Sequence, residues 1–309
     1  MIEEYDTMFS VRQTPWHGLG VVIQEAVNSE DALRIAGLNW EVIQEPIFRE
    51  DQTRIKNHVA NIRSDTSGLL GIVTNRYQII QNYEAFSFTD ALLGEGVKYE
   101  TAGSLQNGKR VWMLAKMDSV KILDDNIAPY LVFTHGHDGK NSVKVSITPV
   151  RVVCNNTLNL ALNSAQRAWS THHIGDIQNK LGEAQRTLGL AQEYLVKLNE
   201  EAENLVNLEI TDDIAKDMIK MLYPISEKSS SREIVNIQSA RNTMFKVYTG
   251  TKDIQKFRNT GWGFVNAVSD YIGHSDPLRR TNTYQENRFS KIVNGHPIMD
   301  KTIELLKVA

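Results

Sequence analysis

Between Ile177 and Leu205, apolar side chains fall at Ile177, Leu181, Ala184, Leu188, Ala191, Leu195, Leu198, Ala202 and Leu205. The steps alternate between four and three without a break. At 3.6 residues per turn this spacing puts all nine on one stripe of a helix. Such a stripe needs a partner helix, within the chain or across subunits. The polar faces carry Glu193, Glu200, Glu201 and Glu203. A long amphipathic helix in a helical subdomain is the simpler reading. It is favoured over a dimeric coiled coil, for which four heptads are the minimum.

The chain before this helix has a different period. From Trp40 to Val153 strand signals dominate, at Trp40–Phe48, Val59–Arg63, Leu69–Thr74 and Tyr77–Ile80. A helix is expected over Asn82–Leu93, broken by Gly94 and Gly96. Tyr99–Leu105 and Arg110–Met117 flank Gln106-Asn107-Gly108 and read as a hairpin, because Asn-Gly supplies the positive φ of a type I′ turn. Tyr130–His135 and Ser142–Pro149 read as a second hairpin across Gly136–Lys140. Short helices are expected at Ser29–Ala36 and from Asn155 to Leu162.

After the long helix, Thr211 can cap Asp212–Leu222, and Ser230-x-x-Glu233 is a capping box opening a helix to about Tyr248. Gly261–Val268 opens another, ending near Gly273, and Ile298–Val308 closes the chain. The fold class is therefore α+β: residues 1–170 a sheet-containing domain with hairpins, residues 171–309 helical.

One cysteine, Cys154, rules out an internal disulfide framework. The longest apolar runs are a handful of residues, well short of the roughly 20 that cross a bilayer. Met1-Ile-Glu-Glu-Tyr has neither the basic nor the apolar region of a secretory leader, so a cytoplasmic protein without membrane contact is expected. The net charge of -3 is unevenly spread. Residues 1–97 and 181–227 carry an acidic excess, residues 98–180 and 228–309 a basic one. Basic stretches can attract a polyanion. Chance clustering on solvated surface is the competing explanation.

Six stretches resemble, in order, a family of phage- and plasmid-like proteins catalogued as domain of unknown function 932. They are Pro15–Gly20, Tyr99–Leu105, Gly108–Trp112, His137-Asp138-Gly139, Thr148–Leu158, and Thr260–Gly263 with Asn266-Ala267-Val268. The resemblance implies a role in phage or plasmid DNA replication, recombination or conflict with the host. It implies no activity. In outline, the two hairpins and the long helix are also similar to phage single-strand annealing proteins of the RecT and Red-beta kinds, which form rings or filaments. Fold-level likeness does not give function.

The candidate DNA-binding residues are Lys98, Lys109, Arg110, Trp112, Lys140, Lys144, Arg151 and Arg167. Lys109 and Arg110 sit beside a turn, within reach of a phosphate backbone. Trp112 and Tyr99 could stack on bases, worth roughly 1–3 kcal/mol per base. Trp112 could equally be core. Lys144, Ser146 and Thr148 alternate with Val143, Val145 and Ile147, which suggests one wet and one buried face. Arg151, with Asn155 and Asn156, could reach phosphate or close a buried corner. Arg167, Trp169, His172 and His173 lie in a polar stretch that reads as an interdomain loop.

His135-Gly136-His137-Asp138 has metal-ligand spacing but no evident further ligand, and His-Asp-Gly reads as a turn. No phosphate loop, dinucleotide fingerprint, Gly-x-Ser-x-Gly or His-Glu-x-x-His pattern occurs. No catalytic residue, metal or cofactor is therefore nominated. The reading that follows is a non-catalytic, self-assembling protein that binds and anneals single-stranded DNA. The alternative is a phage protein-interaction module acting on a host factor, such as a defence protein. A third, metal-dependent enzyme would use His135, His137 and Asp138.

Overall fold

A computed structural model describes residues 8–12, 20–94, 96–123, 125–127, 129–148, 168–175, 179–180, 182–184, 186, 191–274 and 296–308. Its strands are β1 Met8–Val11, β2 Val21–Ile23, β3 Val42–Phe48, β4 Arg54–Arg63, β5 Leu69–Thr74, β6 Lys98–Leu105, β7 Arg110–Lys116, β8 Val120–Ile122, β9 Asp125–Ile127, β10 Tyr130–Gly136, β11 Val143–Thr148 and β12 Ala168–Thr171. Its helices are α1 Ser29–Ile35, α2 Asn82–Leu93, α3 Ala191–Val206, α4 Asp212–Leu222, α5 Ser231–Gly250, α6 Lys252–Gln255, α7 Gly261–His274 and α8 Pro297–Leu306. The α+β class expected from sequence is the one observed. No helix among the described residues is long and apolar enough to cross a membrane.

The chain divides into two compact units, but not by the single cut near residue 170 expected from sequence. The sheet unit holds 1–119, 128–148 and 166–192, whereas 120–127 join 193–309 in the helical unit. The β8–β9 ribbon belongs there because Leu123 packs on the helical core, and its backbone N–H donates to Asn199 Oδ1 at 2.8 Å.

The sheet unit is built on seven strands in the order β12-β11-β10-β7-β6-β1-β2. Every pairing is antiparallel except β1 with β2. Register sets one cross-strand row, Phe9–Ala102–Met113–Phe133–Val145–Trp169, across six strands. A second row, Tyr99–Ala115–Leu131–Ile147, runs beside it. Both face a core shared with Ala32 and Ala36, Leu38 and Trp40, and Ala85 and Phe86 of α2. Each large side chain so buried is worth about 1.5–3 kcal/mol.

The opposite face of this sheet is not wet. Trp112, Leu114, Val132, Thr134 and Ser146 all lie on it, and all are buried. The expected solvated Lys144-Ser146 face is thus dry at Ser146 and only partly exposed at Lys144: alternation marks two faces, not which one meets water. Six elements were not foreseen, namely the short helix α6 and the strands β1, β2, β8, β9 and β12. The last converts the expected interdomain loop into a sheet edge, with Trp169 opposite Val145. Conversely, Tyr77–Ile80 is not a strand; Tyr77 makes only an isolated bridge to Ile174.

A smaller sheet, β3-β4-β5, also belongs to this unit. Asn61, Gly71 and Val73 face the β10–β11 turn, where a Cβ on Gly71 would run into the Asp138 backbone. Its other face leaves Ile43, Leu69 and Ile72 about half exposed. Helix α2 opens with a capping box between Gln81 and Glu84.

In the helical unit, Leu198, Ala202 and Leu205 of the heptad stripe are buried against Met218, Ile219, Met244, Tyr248, Phe264 and Val268. This end of the stripe is therefore satisfied within the chain. Ile177, Leu181 and Leu188 lie outside the described residues, as does the expected Asn155–Leu162 helix. In this unit the caps expected from sequence are in place, whereas α1 of the sheet unit, for which Ser29 is the cap candidate in sequence, is capped one residue earlier by Asn28. Thr211 accepts from the Ile214 N–H, and Ser230 forms a reciprocal box with Glu233. Gly263 lies so close to the Phe257 carbonyl that no side chain fits there.

Candidate functional site

The first hairpin turn needs left-handed backbone at Gln106, Asn107 and Gly108, with φ of 58°, 57° and 91°. Leu105 and Arg110 are the last pair before it, the strand ends expected from sequence. Gly108 also has no room for a Cβ, because the Trp40 ring sits against it. Over that ring lies the Arg63 guanidinium, 4.6 Å from its centre, with Nε donating to Asp65 at 2.7 Å.

The second turn lies beside the first. Arg110 pairs with Gly136, and the His137 N–H donates to the Lys109 carbonyl at 2.8 Å. Asp138 shapes this turn: its Oδ1 accepts from the N–H groups of Lys140 (2.9 Å) and Asn141 (3.1 Å), and its Oδ2 from Asn141 Nδ2. Lys109, Arg110 and Lys140 are thereby gathered at one end of the large sheet. Lys140 is exposed, Lys109 and Arg110 partly so. Lys144 lies two strands from Trp112 on that side, opposite Thr134, and is partly exposed.

Other predicted residues are not brought here. Lys98 pairs with Lys116 at the far end of β6 and β7. Seven residues of strand put it roughly 23 Å from the turn. Trp112 is 4% exposed, so its ring is not presented to a base. Tyr99 is wholly buried, and its hydroxyl donates to Asp90 at 2.7 Å. Arg151 and Arg167 lie outside the described residues.

Beneath the turns is a group of histidines that sequence reasoning only half found. His135 stands on the core face of β10, two residues beyond Phe133. His137 follows it into the turn, and His173 arrives from just past β12. All three are buried. Ring centres of His135 and His137 are 4.8 Å apart, those of His135 and His173 6.4 Å. Trp40 meets His137 edge-on at 5.4 Å, and Tyr77 stacks on His173 at 4.7 Å.

Outer hydrogen bonds determine where the protons sit. Asn82 Nδ2 donates to the carbonyls of Leu38 and Trp40, which turns Oδ1 toward His137 Nε2 at 3.2 Å. An amide oxygen only accepts, so His137 carries its proton on Nε2 and Nδ1 is bare. His173 Nδ1 faces the Gln78 carbonyl at 3.0 Å, so it holds the proton and Nε2 is bare. Among the described residues, His137 Nδ1, His173 Nε2, both nitrogens of His135 and Trp40 Nε1 have no hydrogen-bond partner. Burial pushes His135 well below its ordinary pKa, His137 down to about 3 and His173 down to about 4. At neutral pH all three are uncharged.

Of His135, His137 and Asp138, which spacing puts side by side, Asp138 is engaged by its own turn, and the third imidazole packed beside the two histidines is His173. The main chain around the group is braced by Asn61 Nδ2, donating to the His137 carbonyl at 2.7 Å, and by the Tyr77 hydroxyl, donating to the Gly136 carbonyl. Among the described residues no three His, Cys, Asp or Glu side chains already stand at metal-ligand positions. The sequence signal that His135 points inward is its in-register place in Leu131-Val132-Phe133-Thr134-His135. His173 has no comparable local signal.

No curated protein and no solved structure matches this chain. A family model described as Domain of unknown function (DUF932) matches residues 69–293, from β5 through both hairpins, all three histidines and the helical unit as far as α7 and beyond. That is more than half of the chain, which therefore belongs to the DUF932 family.

Proposed function

We propose that this protein is a non-catalytic, cytoplasmic, self-assembling protein of phage or plasmid origin that binds and anneals single-stranded DNA. The observation that carries the reading is the meeting of two hairpin turns, which collects Lys109, Arg110 and Lys140 at one end of a rigid sheet. Neither Lys109 nor Lys140 forms an ion pair among the described residues. Exposed cations held on a stiff frame suit a phosphate backbone, and binding there rests on charge rather than on base stacking.

The test is fluorescence anisotropy of a labelled oligonucleotide titrated with the full chain at several salt concentrations. Affinity should fall steeply with salt. Replacing Lys109 and Lys140 together by Ala should weaken binding and flatten the dependence of log K on log salt by about 0.7 per lost contact. Lys98→Ala, at the far end of the sheet, should change little. No binding at low salt ends the reading.

The alternative, an interaction module acting on a host protein, draws on the apolar row Ile43, Leu69 and Ile72. The same titration separates the two: a chain that ignores oligonucleotides but loses a defined host partner on Ile72→Ser favours the alternative.

A further inference from the structure

We propose that His135, His137 and His173 are the protein ligands of a buried site for one borderline divalent transition cation, of the Zn²⁺ or Co²⁺ class. This is independent of the DNA reading. The first argument is the orphaned nitrogen lone pairs. Polar atoms removed from water are almost always hydrogen-bonded, and each exception costs about 1–3 kcal/mol. Here the bare Nδ1 of His137, the bare Nε2 of His173 and both nitrogens of His135 are left without partners among the described residues, within one buried cluster of rings.

The second argument is the pattern of the bonds that are made. A metal-bound imidazole donates its remaining N–H to a carbonyl or carboxylate, which sets the tautomer and aims the other nitrogen. His137 does this to Asn82, whose amide is itself clamped by two main-chain carbonyls. His173 does the same to the Gln78 carbonyl. Two of the three rings thus have the outer half of a ligand's surroundings and lack the inner half.

Spacing is the third. With Zn–N distances of 2.0–2.1 Å, imidazoles sharing one tetrahedral ion have ring centres about 5 Å apart. The His135–His137 separation of 4.8 Å matches that value, and the His135–His173 separation of 6.4 Å exceeds it by more than 1 Å. Binding requires the rings to turn and close in, since they do not yet stand at ligand distance. An all-nitrogen donor set favours Zn²⁺, Co²⁺ or Ni²⁺ over Mg²⁺ or Ca²⁺, which take oxygen. Asp138, close enough to act electrostatically on His173 and Tyr77, would offset part of the ion's charge. The fourth position is left for water or a small anion.

The experiment uses the full chain, stripped with a chelator. It is titrated with Co²⁺ both as folded protein and during refolding from denaturant, because the pocket is closed to solvent. The expected result is one equivalent per chain with the intense visible absorption of tetrahedral Co²⁺, displaced by Zn²⁺. Binding should raise the melting temperature. His173→Ala should lower affinity at least tenfold, and Asn82→Ala should lower it roughly 10–100-fold through lost ligand orientation. His172→Ala, an exposed neighbour, should change nothing. Absence of a tetrahedral spectrum in the wild-type chain under both conditions overturns the proposal, and this arm does not depend on any variant folding. Binding that survives loss of His173 but not of His172 overturns it as well and marks surface capture.

Discussion

The two units bury different chemistry. The helical unit encloses Leu198, Ala202, Met218, Met244, Phe264 and Val268, with few polar groups among them: Thr302 donates to the Ile298 carbonyl one turn back, and the Tyr248 hydroxyl donates to the Ile210 carbonyl. The sheet unit encloses Asn61, Asn82, Glu100, Thr134, His135, His137, Ser146 and His173 beside its apolar rows. A helix satisfies its own backbone, so its core needs only an apolar stripe. A sheet brought against turns and loops must satisfy main-chain groups from far along the chain, and side-chain amides such as Asn61 and Asn82 do that here.

If the units differ in this way, truncating their aromatic centres should hurt both strongly but with different by-products. Phe133→Ala and Phe264→Ala each remove a fully buried ring and should cost about 3–5 kcal/mol, read from denaturant unfolding. Phe133 also lies edge-on to His135 at 5.7 Å, so only its loss should change the histidine resonances. Equal perturbation of those resonances by Phe264→Ala would break the comparison.

Acid sharpens it. The buried histidines bind protons more weakly folded than unfolded, with values near 3 for His137 and 4 for His173 against about 6.5 in an open chain. Their contribution is therefore complete above pH 6.5 and is lost as pH falls toward 4, because the unfolded state then takes up the protons. In metal-stripped protein the loss is about 1.4 kcal/mol per pH unit per histidine within that window. A spectroscopic probe on β10 should report melting in acid that His135→Leu in combination with His137→Asn relieves. A flat stability curve from pH 7 to 4.5 would show these rings to be solvated.

Legibility follows the same division. The helices were readable because caps and 3.6-residue periods are local: Thr211, Ser230 and the Leu198–Leu205 stripe each act within a turn or two. The central hairpins were readable from Asn107-Gly108 and strict alternation. Strands β1, β2 and β12 were not, since segments of three or four residues carry no period and gain their pairing only from strands as distant as Phe9 from Ala102. For the same reason the histidine group was half visible. His135 and His137 are neighbours in sequence, whereas His173, Asn82 and Trp40 reach them only through the sheet. The charge pattern was the least informative guide, because it could not tell exposed Lys140 from buried surroundings such as those of Trp112.

The smallest predicted effect tests the local side of the contrast. Ser230 accepts from the Glu233 N–H, while the Glu233 carboxylate takes the Ser230 N–H at 2.8 Å, and that pairing holds the Glu233 carboxyl below its usual pKa. Ser230→Ala should cost about 1 kcal/mol, and Thr211→Ala a similar amount. Both caps are exposed, so nothing repacks around the loss. Their effects should add within about 0.5 kcal/mol, being separate ends of separate helices. Paired losses in the sheet unit, such as Asn61→Ala with Asn82→Ala, should fail to add, because the two amides hold the carbonyl and the ring of the same histidine. Additivity there as well would mean that the turn is braced by independent contacts and that the units differ in composition only.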